Sequence, residues 1–278
     1  MEIFHTIEAY RSSLNWRRGS RQLALLATRG DLHDGHIALI KACREQADIN
    51  VVSICSNPLL PEQSAAPLAP PIDQDVRRLE NLADCIFAPA HEELFPFGLT
   101  EYTGVRLPVL ADELSGPQHA DVVEAEATMM LKLLLIIQPN ILFYGEKNYR
   151  QLVVTERMIE EFSLDIRVVR TPILRDFDGV ALGNGLQHLL PDQRKNAPIV
   201  HQTLNDLAHA ISNGARNYNK LEQTARVAMR GGSLETDYVA IRDADTLQAP
   251  TEKSTCLRIM AAAKLGNMRI VDNIGVDL

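Results

Sequence analysis

Leu23-Ala24-Leu25-Leu26-Ala27-Thr28-Arg29-Gly30-Asp31-Leu32-His33-Asp34-Gly35-His36 is the stretch on which the reading of this chain turns. Its opening residues are a nearly unbroken apolar run, the pattern of an inner parallel strand covered on both faces. Arg29-Gly30 supplies a turn, and Gly35-His36 opens a helix carrying Ile37, Leu39, Ile40 and Cys43 on its apolar stripe. Strand, turn and helix N-terminus in that order make an anion site. The first backbone N–H groups of the helix lack intrahelical partners, and the helix dipole favours negative charge there. Two histidines at His-x-x-His spacing flank that end. Such a pair serves a plain helix cap, a metal site or a phosphate site. A metal needs a further ligand, and no Cys/His pair stands at zinc spacing nearby. The expectation is therefore a nucleotide phosphate and no metal.

Working outward, a second apolar strand is expected at Asp48–Cys55, so strand, helix and strand form a βαβ unit. Glu2-Ile3-Phe4 and the amphipathic stretch to Arg18 precede it as a short strand and a helix. Pro58 to Pro71 is rich in proline and reads as a loop. A helix at Ile72–Leu82 and a strand at Cys85–Ala88 follow. His91–Pro96 reads as a turn-like connector, Glu101–Leu107 as an exposed strand, and Leu110–His119 as irregular. Asp121–Gln138 has the pattern of a helix buried on nearly every face, with Lys132 alone among apolar residues. Ile141–Tyr144 is a third inner strand, followed by a helix from Tyr149 to Phe162 and a strand at Asp165–Arg170. The alternation stops near Pro172. Helices at about 192–211 and 217–230 then precede strands at Asp237–Arg242, Cys256–Leu265 and Met268–Asp272. The expected architecture is an α/β, Rossmann-like nucleotide-binding domain over residues 1–171 and a smaller α+β domain over 172–278.

Composition narrows the partners. With 278 residues, 46% hydrophobic, the chain has ample core, and its net charge of −8 provides no global field for nucleic acid or an anionic membrane. An acidic protein that binds anions must do so with a local cluster of donors. The four cysteines (Cys43, Cys55, Cys85, Cys256) are scattered in apolar settings and read as reduced core thiols of a cytoplasmic protein. No signal-peptide pattern or bilayer-length apolar run is seen.

The segment Arg29-Gly30-Asp31-Leu32-His33-Asp34-Gly35-His36 resembles the Met-Gly-x-Leu-His-x-Gly-His signature of the pantoate–β-alanine ligase family. That family shares the "HIGH" motif and nucleotidyltransferase-type fold with class I aminoacyl-tRNA synthetases. Val52-Ser53-Ile54-Cys55-Ser56-Asn57-Pro58, Tyr144-Gly145-Glu146-Lys147-Asn148-Tyr149-Arg150-Gln151 and Arg175-Asp176-Phe177-Asp178-Gly179-Val180-Ala181-Leu182 agree in order and spacing. So do Ile241–Leu247 and Arg269–Asn273. The likeness covers nearly the whole chain.

The resemblance implies that ATP and pantoate form a pantoyl-adenylate, which the amine of β-alanine converts to pantothenate. It implies Mg²⁺ on the phosphates and a homodimer formed by the N-terminal domain. It assigns His33 and His36 to the ATP phosphates, with His36 as proton donor, and Lys147 to phosphate charge. The nucleotide positions it implies are Arg29, Gly30, Asp31, Leu32, His33, Asp34, Gly35 and His36, then Gly145, Glu146, Lys147 and Asn148, then Leu174, Leu182, Gly183, Asn184 and Gly185. The substrate positions are Asn57, Leu60 and Gln151.

The sequence departs from the family at several of these. The family's Met before the glycine is Arg29, its substrate-binding Gln is Leu60, and the Asp after the Glu-Lys pair is Asn148. Its Arg-Pro-Gly-His-Phe-Arg-Gly-Val segment reads His119–Glu126, with the basic residues lost. The Ser-Ser-Arg-Asn loop reads Gly183-Asn184-Gly185-Leu186, which removes two hydroxyls and a guanidinium from the triphosphate. Charge-assisted hydrogen bonds contribute on the order of 1.5–3 kcal/mol each, so the loss bears on rate. Three readings stay open: a pantoate–β-alanine ligase with Arg29 and Arg150 in place of the lost guanidinium, an adenylate-forming ligase for another acid or amine, and a nucleotide-binding homologue without turnover.

Overall fold

The computed structural model describes residues 1–60, 72–107, 120–184, 186, 189–232 and 234–278. They form two compact units, Met1–Thr171 and Pro172–Leu278. Most of the Pro58–Pro71 loop, all of the Leu110–His119 stretch, and Gly185 lie outside the described residues.

In the first unit the elements run β1 (Glu2–Phe4), α1 (Ile7–Arg18), β2 (Leu23–Thr28), α2 (Asp34–Gln46), β3 (Ile49–Ile54), α3 (Ile72–Leu79), β4 (Cys85–Phe87), α4 (His91–Leu94), α5 (Ala120–Ile137), β5 (Ile141–Gly145), a 3₁₀ turn (Glu146–Asn148), α6 (Tyr149–Glu161) and β6 (Arg167–Thr171). The six strands form one parallel sheet in the order β1-β4-β3-β2-β5-β6. β3 is buried throughout and β2 almost so, whereas the edge strand β6 is half exposed. That gradient is why the inner strands read as solid apolar runs.

Asn140 ties the centre of the sheet together. Its backbone N–H donates to the Leu23 carbonyl at 2.8 Å, its carbonyl accepts from Arg167 N–H at 2.9 Å, and its side-chain oxygen accepts from Leu23 N–H at 3.0 Å. One residue after the proline that ends α5 thus sets the start of β5 against both neighbours. The lone Lys132 of α5 is also accounted for. Its ammonium donates to the Leu94 carbonyl at 3.0 Å and lies 4.7 Å from the Phe95 ring centroid.

Three local expectations need correction. Glu101–Leu107 forms no strand. Side chains of α5 take its donors instead, with Thr128 Oγ1 accepting from Val105 N–H at 2.9 Å and Glu124 Oε1 from Leu107 N–H at 2.8 Å. The connector at His91–Pro96 contains the single helical turn α4, whose Glu93 accepts the Ile7 N–H at the start of α1 at 2.8 Å. Cys43, Cys55 and Cys85 are buried free thiols, but Cys256, the first residue of its strand, is only half-buried.

The second unit holds α7 (Pro191–Asn196), α8 (Pro198–Ser212), α9 (Tyr218–Gly231), β7 (Glu235–Asp243), β8 (Cys256–Leu265) and β9 (Met268–Asp277). The strands form an antiparallel sheet with β8 in the centre. Leu204, Leu207, Ile211 and Met229 share one core cluster with Ile241 and Ile259. The expected 192–211 helix is divided at Ala197, because Pro198 has no N–H to continue the ladder. β9 runs five residues past Asp272, where the polar Asp272-Asn273 pair obscured it. Both are buried and bonded: Asp272 receives two hydrogen bonds from Arg175, at 2.7 and 2.9 Å, and Asn273 receives Arg258 at 2.6 Å.

Candidate nucleotide site

The sheet reverses at β2: β3 and β4 lie on one side of it, β5 and β6 on the other. Ligands of open α/β sheets sit outside the carboxyl ends of the strands at such a reversal. β2 ends at Thr28 and β5 at Gly145, so Arg29–His36 and Glu146–Lys147 leave the sheet side by side.

The turn from β2 into α2 has an unusual backbone. Gly30 has φ 89° and Asp31 φ 53°, the left-handed region, which glycine enters freely and aspartate tolerates. Thr28 Oγ1 accepts the Gly30 N–H at 3.1 Å. The Asp75 side chain, only 2% exposed on α3, accepts both Asp31 N–H at 2.9 Å and Leu32 N–H at 2.8 Å. Arg78, one turn later on α3, donates to the Leu32 carbonyl and lies 3.7 Å from Asp34. The phosphate-type turn is therefore shaped from α3, far away in the sequence.

His33 caps α2. Its Nδ1 accepts from Gly35 N–H at 3.1 Å, while its own backbone N–H donates to His36 Nδ1 at 3.3 Å. Backbone N–H groups only donate, so both Nδ1 atoms carry lone pairs, and each neutral ring holds its proton on Nε2. The two ring centroids are 4.1 Å apart. A Cβ on Gly35 would stand 2.7 Å from the His33 ring, so glycine is required between the histidines. Burial, followed by the Lys147 ammonium, brings His33 down from 6.5 to about 4. Burial, followed by the His33 ring and Lys147, brings His36 down to about 3. Both imidazoles are neutral near pH 7, and Lys147 lies close enough to act on each. Two Nε2–H donors and one ammonium, backed by the dipole of α2, can together receive a polyphosphate.

The remaining sequence-derived positions divide. Gly145, Glu146, Lys147 and Asn148 form the end of β5 and the 3₁₀ turn beside the histidines. Asn57 makes an Asx turn, its Oδ1 accepting Leu59 N–H at 3.1 Å, and its Nδ2 donates to the Ala125 carbonyl at 3.0 Å. Leu60 is the half-buried end of that turn, its N–H donating to the Asn57 carbonyl at 3.3 Å. Gln151 donates to Glu126 at 3.0 Å. In the second unit, Leu182 N–H donates to the Leu174 carbonyl at 2.9 Å across a turn closed by Gly179, with Gly183 and Asn184 following. Asp75, Arg78 and Glu126 were not found from sequence. Acidic residues opening a helix complement its dipole on any surface helix, so Asp73 and Asp75 look alike until burial separates them. Among the described residues, no group of three or more His, Cys, Asp or Glu side chains could hold a metal ion, and no helix is long and apolar enough to cross a membrane.

Two outcomes follow from this geometry. Asp75→Ala leaves two backbone donors of the turn without their acceptor, so ATP affinity should fall about tenfold or more. Isothermal titration against ATP checks it; unchanged affinity would show that the turn holds its shape without α3. The second concerns pH. In the unfolded chain both histidines bind protons near 6.5, and in the folded chain only near 4 and 3. The unfolded state thus holds more protons below 6.5, and stability falls as pH drops. Urea midpoints between pH 7 and 5 should decline more steeply for the wild type than for the His33→Asn, His36→Gln double variant. Equal slopes would mean that both rings titrate normally in the folded protein.

A protein-family model described as pantoate-beta-alanine ligase matches residues 2–275. Among curated relatives, the pantothenate synthetase of Aliivibrio fischeri is 35% identical over 283 residues, covering 100% of this chain and 97% of that protein. The pantothenate synthetase of Thioalkalivibrio sulfidiphilus is 36% identical, covering 100% and 99%. The solved pantothenate synthetase of Thermus thermophilus superposes with a TM-score of 0.88 at 28% identity, covering 99% of both chains. A pantoate-beta-alanine ligase from Francisella tularensis, complexed with beta-gamma ATP and beta-alanine, shares the fold with a TM-score of 0.80 at 23% identity, covering 99% of this chain and 97% of that one.

Proposed function

The chain belongs to the pantoate-β-alanine ligase family, and from that premise we propose that it condenses pantoate with β-alanine in a reaction driven by ATP. The pantoate carboxylate attacks the α-phosphorus, pyrophosphate leaves, and the amine of β-alanine then displaces AMP from the pantoyl-adenylate. The observation that carries this reading is the pair of neutral imidazoles at the α2 N-terminus, with Lys147 acting on both. Negative charge grows on the phosphates as pyrophosphate departs, and donors already aimed at that charge lower the barrier without reorganising. Neutral His36 holds a proton on Nε2 that it can share with a phosphate oxygen. ATP is taken as its Mg²⁺ complex in this reading, with the ion carried largely by phosphate and water oxygens.

The loss of the Ser-Ser-Arg-Asn donors calls for a substitute cation, and Arg29 is the better candidate of the two in the sequence. It is exposed, directly follows the end of β2, and acts electrostatically on Tyr144 at the end of β5. Arg150 already lies 3.9 Å from Glu126. Two copies of the chain joined through the first unit belong to the same proposal, supported by the exposed Phe97 (81%) and Leu135 (49%).

Purified protein given ATP, pantoate and β-alanine should release pantothenate, AMP and pyrophosphate in equal amounts. His36→Ala and Lys147→Ala should each lower kcat by about a hundredfold, and Arg29→Met should raise the ATP KM by about tenfold, with Arg150→Gln close to wild type. ATP binding without turnover would overturn the ligase reading in favour of a nucleotide-binding homologue. Sedimentation equilibrium should return twice the chain mass, and a monomer would remove the dimer.

A further inference from the structure

The two polar side chains that the ligase reading assigns to the acid substrate converge on one turn of α5. Asn57 Nδ2 donates to the Ala125 carbonyl at 3.0 Å, and Gln151 Nε2 donates to Glu126 Oε2 at 3.0 Å. Glu126 therefore stands at the meeting point of the β3 and α6 segments, at a position where the resembling family has an apolar Val. Beside it is a cavity of about 20 Å³ bounded by Glu126, Gln151, Ala127, Met130 and Tyr144. That space is the size of a single water or hydroxyl, and most of its wall is apolar.

A hydroxyl brought into such a wall needs an acceptor, since an unmet donor loses its hydration without return. The family's Gln at position 60 is Leu60 in this chain, so that source of polar contact is gone. A carboxylate can accept several hydrogen bonds, and Gln151 supplies one of those made to Glu126. Arg150 Nη2, 3.9 Å from Glu126 Oε2, offsets its charge, so a substrate carboxylate can still approach.

Resting on the ligase reading, we propose that Glu126 is a specificity-determining residue of the acid pocket: its carboxylate accepts a hydroxyl of the substrate and so selects a hydroxy acid over the same carbon skeleton without hydroxyls. The Asn57–Ala125 bond holds the α5 turn in place, and Gln151 orients the carboxylate.

Calorimetric titration of the full chain with pantoate and with its hydroxyl-free analogue tests this. The wild type should favour pantoate by about tenfold or more, on the scale of one charge-assisted hydrogen bond. Glu126→Val should abolish the preference while leaving ATP affinity unchanged, and Glu126→Gln, which keeps one acceptor oxygen, should retain part of it. A preference that survives Glu126→Val, or a wild type without preference, overturns the proposal. Turnover of the three substrates by the wild type is scored separately. A preference lost in Glu126→Val without turnover would sink the ligase reading alone, and turnover with an unaltered preference would sink this one alone.

Discussion

β2 has β3 on one side and β5 on the other, so the chain winds outward in two directions from the same strand. The loops that leave β2 and β5 cannot both be covered by the helices of one winding, and a crevice stays open at their carboxyl ends. Asn140 holds that arrangement in register by bonding both the β2 start and the β6 start. A slip of one residue there would exchange the two covered faces of β5 and carry Lys147 away from the histidines. The position of the site is thus a consequence of how the sheet is wound, before any side chain is considered.

What fills the crevice shows how an acidic chain makes a local home for an anion. The net charge is −8, yet the residues around the β2–α2 turn are two uncharged imidazoles, a lysine, and arginines on the neighbouring elements. Burial and the nearby ammonium keep the imidazoles neutral. They serve as hydrogen-bond donors rather than as fixed charges, and the positive charge comes from Lys147 and the helix dipole. Asp75 supplies the other half of the device. A buried carboxylate that spends its acceptors on two backbone amides fixes the turn without presenting negative charge to the crevice.

The family-like stretch in the second unit is tied into the packing of that unit. Arg175 pairs with buried Asp272, Arg194 reaches Asp176 and Asp178, and Gly179, at φ 88°, lies where a Cβ would meet the His201 ring at 2.5 Å. Arg175-Asp176-x-Asp178-Gly179 is therefore held by the packing of its own unit. Gly183 and Asn184, where this chain departs from the family, follow that packed turn directly in the sequence. Fold and chemistry are encoded by adjacent residues and can diverge separately.

Apolar runs, the helix signals of Gly35–Gln46 and the proline-rich connectors are local properties, set by each residue and its near neighbours, and they made the parallel strands and the His-x-x-His helix legible in the sequence. So was the closeness of both histidines to one helix end, because it follows from helix geometry alone. Other features depend on residues brought together from distant points in the chain. Asp75 beneath the turn, Glu126 between Asn57 and Gln151, the α5 side chains that replace a strand at Glu101–Leu107, and the continuation of β9 through a buried Asp-Asn pair are all of this kind. An acidic or polar residue carries no mark of whether it will face water or a buried donor. Only the packed structure decides that, because it determines which groups lose their water and must find a partner within the protein.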